Sequence, residues 1–441
     1  MPEYKKPETF SDVLNNFDPL HPTMSANMAY YESSRCLFCY DAPCIKACPT
    51  SIDIPLFIKQ INTGNIDGAS KTIYDANYFG NICGKVCPTK VLCEGACVYN
   101  EQDVKPIDIG SLQAFATNHT MSKGKQLYKP GKENGKKVAI IGAGPAGISA
   151  ACELRLHGCT VDLYESKAQP SGLALYGVAP YKITNEEIIA EMEYLQSQFG
   201  YTVHYNHPIT TKEQLNNLEA NYDCIFLGIG MGGTRKLGIN GENLKNCIGA
   251  TEFIEEFKLK PLDTFIGKSV VVLGGGNTAM DAASEASRMG AQVHLVYRRS
   301  KSGMGAYPFE YDLAKNAGTT GMFNCNPTEI LGNDSVEGIC LIRTKIIDGK
   351  VTYIENSEFE IKCDMVIMAT GQAKMPEFLN LIDGLELDKS NRIICNESYQ
   401  TTNPKYFASG DAVNGGAEVV NAAGEAKIAA QAIALKLGIG K

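Results

Sequence analysis

Half of the sixteen cysteines in this 441-residue chain lie between positions 36 and 97. Their spacing is Cys36-x2-Cys39-x4-Cys44-x3-Cys48, followed by Cys83-x3-Cys87-x5-Cys93-x3-Cys97. Thiolates crowded into short loops are soft ligands, and both runs carry a Cys-Pro pair, Cys48-Pro49 and Cys87-Pro88, as iron–sulfur loops do. Eight cysteines could fill two four-ligand sites. Zinc is the metal alternative, although zinc ribbons pair one CxxC knuckle with another and the second run has none. The remaining eight (Cys152, Cys159, Cys224, Cys247, Cys325, Cys340, Cys363, Cys395) stand singly in apolar stretches and read as small buried hydrophobes.

A second kind of chemistry follows. In KVAIIGAGPAGISAACELRLHG an apolar run meets Gly142-Ala143-Gly144-Pro145-Ala146-Gly147 and then a helical pattern. This is G-x-G-x-x-G: the first glycine makes the turn, the second admits a pyrophosphate, and the third packs helix on strand. The next strand, CTVDLYE, ends at Glu165, where a carboxylate can accept from ribose hydroxyls. SVVVLGGGNTAMDAASEASRMGAQVHLVYRRS repeats the pattern with Gly274, Gly276 and Ala279, but its second strand ends in Arg298-Arg299. Arginines there can pair with a 2'-phosphate, or can be ordinary solvated surface. Near the C-terminus, DMVIMATGQ reads as a strand ending at Gly371. YFASGDAVNGG reads as a strand, Gly410-Asp411 and a glycine loop before a long helix, suited to a flavin's ribityl chain and phosphate or to a plain turn.

The elements that must position these groups are legible in outline. A short helix near 23–34 leads into the cysteines. Residues 52–77 read as two amphipathic helices and residues 107–119 as another. The Gly/Lys-rich stretch 123–137 reads as a linker. The fold class expected is α/β: an N-terminal α-helical iron–sulfur domain over 1–133, then two Rossmann-like domains. The FAD-binding domain spans 134–241 and 374–441, and the NAD(P)-binding domain, 242–373, is inserted into it. A hydrophobic fraction of 44% fits a globular protein, and a net charge of -8 argues against nucleic acid or an anionic membrane as partner. No apolar run approaches the ~18 residues of a membrane span. The start, MPEYKKPETF, has no apolar signal region, so a cytoplasmic protein is expected, in which disulfides are unfavourable.

In this order the cysteine runs, GAGPAG, GGGNTAMD and ASGD resemble the flavin subunits of glutamate synthase and their relatives over nearly the whole chain. DAPCIKACPTSIDIPLFI, CGKVCPTKVLCEGAC and IDIGSLQAFA are most similar to the dihydropyrimidine dehydrogenase family. In its bacterial NAD-linked form, a flavin/iron–sulfur subunit serves a separate PreA-type FMN/iron–sulfur subunit that reduces the pyrimidine. The resemblance implies two [4Fe-4S] clusters with interleaved ligands: Cys36, Cys39, Cys44 and Cys97 for one, and Cys48, Cys87, Cys93 and Gln113 for the other. Spacing alone would make Cys83 a ligand; the resemblance makes it a spare thiol. The glutamate synthase branch looks to have Glu where Gln113 stands.

For FAD the carry-over covers Gly142 to Gly147, Glu165, Gly172, Leu173, Lys182, Gly410 and Asp411. For the nicotinamide it covers Gly275, Gly276, Asn277, Thr278, Arg298, Arg299 and Gly371. Two positions depart from the family. Lys182 replaces an arginine near the flavin, keeping charge but losing the planar fork. Gly305 stands where the NADPH-using single-chain enzyme has a further arginine, which favours NADH slightly over NADPH.

The implied function is an electron-input subunit of a hetero-oligomer. It takes electrons from NAD(P)H through FAD and two [4Fe-4S] clusters to a partner reducing uracil or thymine to the 5,6-dihydropyrimidine. Hydride transfer needs no catalytic acid, base or nucleophile, and none is named. Few residues follow the last helix, too few for a barrel of ~250 residues, so the chain alone is expected to reduce dyes but not uracil. The competing readings are a glutamate synthase small subunit, an NAD(P)H:ferredoxin-type oxidoreductase and a non-enzymatic metal-dependent scaffold.

Overall fold

The computed structural model describes residues 4, 6–260 and 268–439. They divide into two compact units. The larger comprises His21–Leu175, Lys182–Met231 and Lys374–Lys441. Its sheet has five parallel strands in the order Tyr406–Ala408, Cys224–Leu227, Lys137–Ile141, Thr160–Tyr164, Thr202–His204. Val138 lies opposite both Val161 and Cys224, so the first strand of the fingerprint is central. That strand is apolar and buried from Val138 to Ile141, as a parallel strand covered on both faces must be. Helices Pro145–Leu156 and Val419–Lys436 pack closely together beside it. The last strand of the sheet comes from the C-terminal segment, so this fold is interrupted in sequence and completed after the other unit.

The same unit holds the helical part. Helices Ala26–Ser34, Ile54–Asn62, Ile66–Ala76 and Ile109–Ser122 share a core of Ala29, Phe57, Ile58, Ile61, Ile73, Leu112 and Ala116. Three of these four starts carry a local side-chain cap. Ser25, Asp53 and Asn65 accept from the backbone N–H groups of Met28, Leu56 and Gly68, and Pro55 sits in the first turn of its helix. A further short helix, Gly80–Val86, packs on Ile109–Ser122.

The stretch expected to be a linker has no regular structure from 125 to 134, yet it is pinned. Gln198 Oε1 accepts from the N–H groups of Leu127 and Tyr128, the Tyr128 hydroxyl donates to Asp75, and Gly131 N–H donates to the Arg155 carbonyl. The buried Tyr128 ring explains the difference: one aromatic in a Gly/Lys-rich stretch is enough to anchor it.

The smaller unit comprises Met1–Leu20, Tyr176–Tyr181 and Gly232–Ala373. Five parallel strands run in the order Cys247–Gly249, Met365–Met368, Ser269–Leu273, Gln292–Tyr297, Thr320–Phe323. An antiparallel sheet of Cys325–Leu331, Gly338–Ile347, Lys350–Tyr353 and Phe359–Lys362 accompanies them. Described residues up to Leu20 group with this unit. Helix Phe10–Asn16, started by a Thr9/Asp12 capping box, puts Val13 into the core of this unit with Phe253, Phe257 and Val272. Asn16 Nδ2 donates to the Arg288 carbonyl at 3.0 Å, and the Tyr4 hydroxyl donates to the Ser287 carbonyl at 3.0 Å. Among the described residues no helix is long and apolar enough to cross a membrane.

Candidate functional site

The clustered thiols line two cavities. Cys36, Cys39, Cys44 and Cys97 line one, with Leu37, Ile54, Ile58, Ile107 and Ile109 among its apolar walls. Cys48, Cys83, Cys87 and Cys93 line another, together with Gln113, Asn77, Thr89 and Val420. The two sets therefore cross over in sequence. Cys48, from the first run, faces the second cavity, and Cys97, from the second run, faces the first. All sixteen cysteines are free thiols. Among the described residues no three His, Cys, Asp or Glu side chains converge as ligands of a single ion.

Burial, reinforced by Cys36 and Cys97, pushes the Cys44 thiol up to about 12. Burial likewise raises Cys36 and Cys93, while Cys87 is raised first by its hydrogen bond with Cys83 and then by burial. The thiolates are thus unfavourable until a metal supplies positive charge, and loading must release protons.

Gln113 is buried on helix Ile109–Ser122, and its Nε2 donates to the Gly80 carbonyl at 2.7 Å. That bond commits the NH2 and leaves the amide oxygen as the end available to the cavity it lines. The approach depends on glycine. A Cβ on Gly84 would stand 2.8 Å from the Ala114 nitrogen and 2.9 Å from the Gly110 carbonyl oxygen, so only a glycine lets the two helices close to this distance.

The N-terminal end of helix Gly80–Val86 is also held by Glu191, which sequence reasoning missed. Its carboxylate accepts from Asn81 N–H at 2.6 Å, Ile82 N–H at 2.8 Å and the Tyr74 hydroxyl at 3.0 Å. Burial raises its carboxyl to about 7, against the pull of those donors. Glu187, one turn earlier on helix Asn185–Phe199, pairs with the buried Lys85. The available signal was an acidic residue on an apolar helix face, since Ile188, Met192 and Leu195 are buried beside it.

The flavin fingerprint is assembled in the same unit. Gly142 N–H donates to the Tyr164 carbonyl, and helix Pro145–Leu156 starts with Gly144 as its N-cap. Glu165 is buried at the end of its strand, with Oε2 accepting from Ala143 N–H and Oε1 from Lys167 N–H, each at 2.8 Å. Ser171 N–H donates to the Ala143 carbonyl at 2.7 Å, which brings Gly172, and Leu173 of the short helix Leu173–Tyr176, to the same loop.

Gly410 has φ +72°, its N–H donates to Glu425 Oε2 at 2.8 Å, and a Cβ on it would lie 3.3 Å from the Ala146 Cβ. The Gly410-Asp411 turn thus abuts the first turn of the fingerprint helix. Asp411 is raised by burial foremost, with the Glu425 charge adding to it. The hydroxyls of Ser171 and Ser409 flank this surface, fully buried and without a hydrogen-bond partner among the described residues. Two orphaned hydroxyls at a helix N-terminus fit a bound phosphate-bearing group such as FAD. Lys182 is buried and is one of the cations, with Lys90 and Lys85, that add to burial in lowering His21.

The second fingerprint lies in the smaller unit. Gly274 N–H donates to the Val296 carbonyl, and Gly276 caps helix Asn277–Arg288. Ala306 N–H donates to the Gly275 carbonyl at 2.9 Å, and Tyr307 N–H to Asn277 Oδ1 at 3.0 Å, so the loop after the arginines folds onto the fingerprint. Gly276 and Thr278 remain exposed at the helix start. Arg298 and Arg299 are exposed after strand Gln292–Tyr297. Gly371, with φ +91°, follows strand Met365–Met368, and its carbonyl accepts from Arg235 N–H. Of the eight cysteines read as buried hydrophobes, Cys152, Cys159, Cys224, Cys325 and Cys363 are buried, and Cys247, Cys340 and Cys395 are partly so.

Comparison with known proteins gives the family. The pyridine nucleotide-disulphide oxidoreductase family matches residues 136–426. The family described as dihydropyrimidine dehydrogenase domain II, 4Fe-4S cluster, matches residues 13–125. The chain is 33% identical over 424 residues to the NAD-dependent dihydropyrimidine dehydrogenase subunit PreT of Escherichia coli K12, covering 95% of this chain and 97% of that one. It is 32% identical over 454 residues to the glutamate synthase [NADPH] small chain of the same organism, covering 97% and 95%. Among solved structures, Mycobacterium tuberculosis FprA in complex with NADPH has the same fold over 69% of this chain and 85% of its own, with a TM-score of 0.57 at 21% identity.

Proposed function

We propose, for a chain that belongs to the pyridine nucleotide-disulphide oxidoreductase family and carries a dihydropyrimidine dehydrogenase-type iron–sulfur domain, that it is the electron-input subunit of a dihydropyrimidine dehydrogenase. At the coarser level it is an NAD(P)H-dependent flavin and iron–sulfur oxidoreductase. The observation that carries the finer reading is the second cavity. Four thiols there, Cys48, Cys83, Cys87 and Cys93, meet a buried amide, Gln113, whose NH2 donates to the Gly80 carbonyl. We assign Cys36, Cys39, Cys44 and Cys97 to one [4Fe-4S] cluster, and Cys48, Cys87, Cys93 and Gln113 to another. The match to a family described by its 4Fe-4S cluster favours iron–sulfur clusters over zinc.

When bound, FAD supplies the conversion of a two-electron hydride into single electrons, and the clusters supply one-electron carriage. The chain's own residues bind and orient. The helix start behind Gly144 and the Gly410-Asp411 turn hold the flavin's phosphates and ribityl chain, and Glu165 holds its ribose. Gly275 to Thr278 hold the nicotinamide nucleotide's pyrophosphate. Val420 lines the second cavity from the helix that also carries Glu425, and a Cβ on Gly424 of that helix would stand 3.1 Å from Thr50 Cγ2. The flavin turn and the second cavity therefore share one rigid support. Leu37 in the wall of the first cavity is exposed, as is Tyr40, which suits an exit to a PreA-type partner.

The decisive experiment mixes the pure chain anaerobically with the pyrimidine-reducing subunit and follows uracil-dependent oxidation of NADH and, separately, NADPH. Turnover only in the mixture, faster with NADH, is expected. The near-equal likeness to the glutamate synthase small chain favours that as the second reading. Flavin bleaching by NAD(P)H without any uracil reduction would move it to the front.

A further inference from the structure

We propose that Asn77 is a hydrogen-bond donor that raises the reduction potential of the cluster in the second cavity. This rests on the reading that the cavity holds a [4Fe-4S] cluster. Asn77 ends helix Ile66–Ala76, with its N–H on the Ile73 carbonyl, and its side chain lines that cavity at 1% exposure. Its Oδ1 accepts from Phe79 N–H at 3.0 Å, Phe79 being the N-cap of helix Gly80–Val86. That bond decides which way the amide points, because the reversed amide would set an NH2 against an N–H. Nδ2 is then buried with no partner among the described residues.

A buried donor left unsatisfied is costly, and the cavity it lines is framed by sulfur. Gln113 is the complement. Its NH2 is committed to a backbone carbonyl, so its oxygen is the free end. Of the two amides around this cavity, one offers an acceptor suited to iron and the other a donor suited to sulfur. Sulfur gains negative charge when a cluster takes one electron, here an electron that originates in the NAD(P)H hydride. A donor aimed at it stabilises the reduced form more than the oxidised one, and the potential rises. No proton or other atom changes hands in that step.

The test uses the full chain, loaded and anaerobic, as wild type, Asn77→Asp and Asn77→Leu. Iron and sulfide content establishes loading, and a redox titration followed by electron paramagnetic resonance reads each cluster. In both variants one cluster should shift downward by roughly tenfold in its reduction equilibrium, about 59 mV for one electron, with the other unmoved. Asn77→Asp keeps the acceptor for Phe79 N–H but adds a charge that itself lowers the potential, so a downward shift shared with the neutral Asn77→Leu reports the lost donor, and a shift in Asn77→Asp alone overturns the proposal. Two other results also overturn it: wild-type potentials in a loaded Asn77→Asp chain, or loss of the cluster in both variants, which would make Asn77 a structural requirement. A wild-type chain with no second [4Fe-4S] signal would instead remove the reading beneath, before any variant is made.

Discussion

Two side chains of the larger unit carry tests at the scale of single residues. Gln113→Ala removes the amide from the second cavity and leaves the four thiols of the first untouched. Iron content should fall toward that of one cluster, with one of two paramagnetic signals lost or altered. Unchanged iron and spectra would point to Cys83 as the working fourth ligand. Glu191 makes a pH prediction. Its carboxyl is raised from 4.5 to about 7 by burial, so the folded state holds the proton more tightly than the unfolded state does. The stability this confers is fully present below the unfolded value and lost as pH rises through the folded one. Thermal stability should therefore decline between about pH 4.5 and 7, by at most about 3.5 kcal/mol from this group at 1.4 kcal/mol per unit. Glu191→Gln should flatten that part of the profile. Parallel profiles for the two proteins would refute the assignment.

At the scale of elements, the flavin surface is built where a turn meets a helix start. Gly410 adopts φ +72°, a conformation any side chain resists, and the space beside it is closed by Ala146 and Ala422. An alanine there costs about 1–3 kcal/mol of strain in the turn. Gly410→Ala is expected to weaken FAD retention by roughly tenfold or more, read as free flavin fluorescence after dilution. Retention as in wild type would show that the turn does not bear on the flavin. The same scale explains why the crossing at Gly84 was invisible beforehand. Nothing in CGKVC says that Gly110 and Ala114, thirty residues downstream, will press against it.

At the scale of the whole molecule, the chain begins in one unit and continues in the other. Val13 is 2% exposed in the core of the nucleotide unit, so Val13→Ala should lower the thermal stability of that unit by about 2 kcal/mol. The thiols assigned to the clusters lie in the other unit, and iron content should not change. A loss of iron with intact nucleotide binding would place the arm with the helical domain after all. The placement follows from matched surfaces. The Phe17 and Phe257 rings lie 5.2 Å apart, and Arg288 stacks over Tyr181 at 4.3 Å, both within this unit.

Much of this protein is written in local sequence. The two glycine fingerprints, the strands before them and the helices at 54–62, 66–76 and 109–122 follow from short-range rules: period, caps and the backbone freedom of glycine. The supply of thiols is equally plain, but their sorting is not. Spacing cannot say that Cys48 crosses to the second cavity or that Cys97 returns to the first, because both lie at the ends of runs that only helix packing brings together. Tertiary structure also decided which end of each amide is held by the backbone, through the Gly80 carbonyl for Gln113 and the Phe79 N–H for Asn77. It decided that a buried carboxylate, Glu191, more than a hundred residues downstream, would hold the helix between them. Such partners are chosen by the desolvation cost of leaving a buried polar group alone, a cost that exists only once the chain has closed around it.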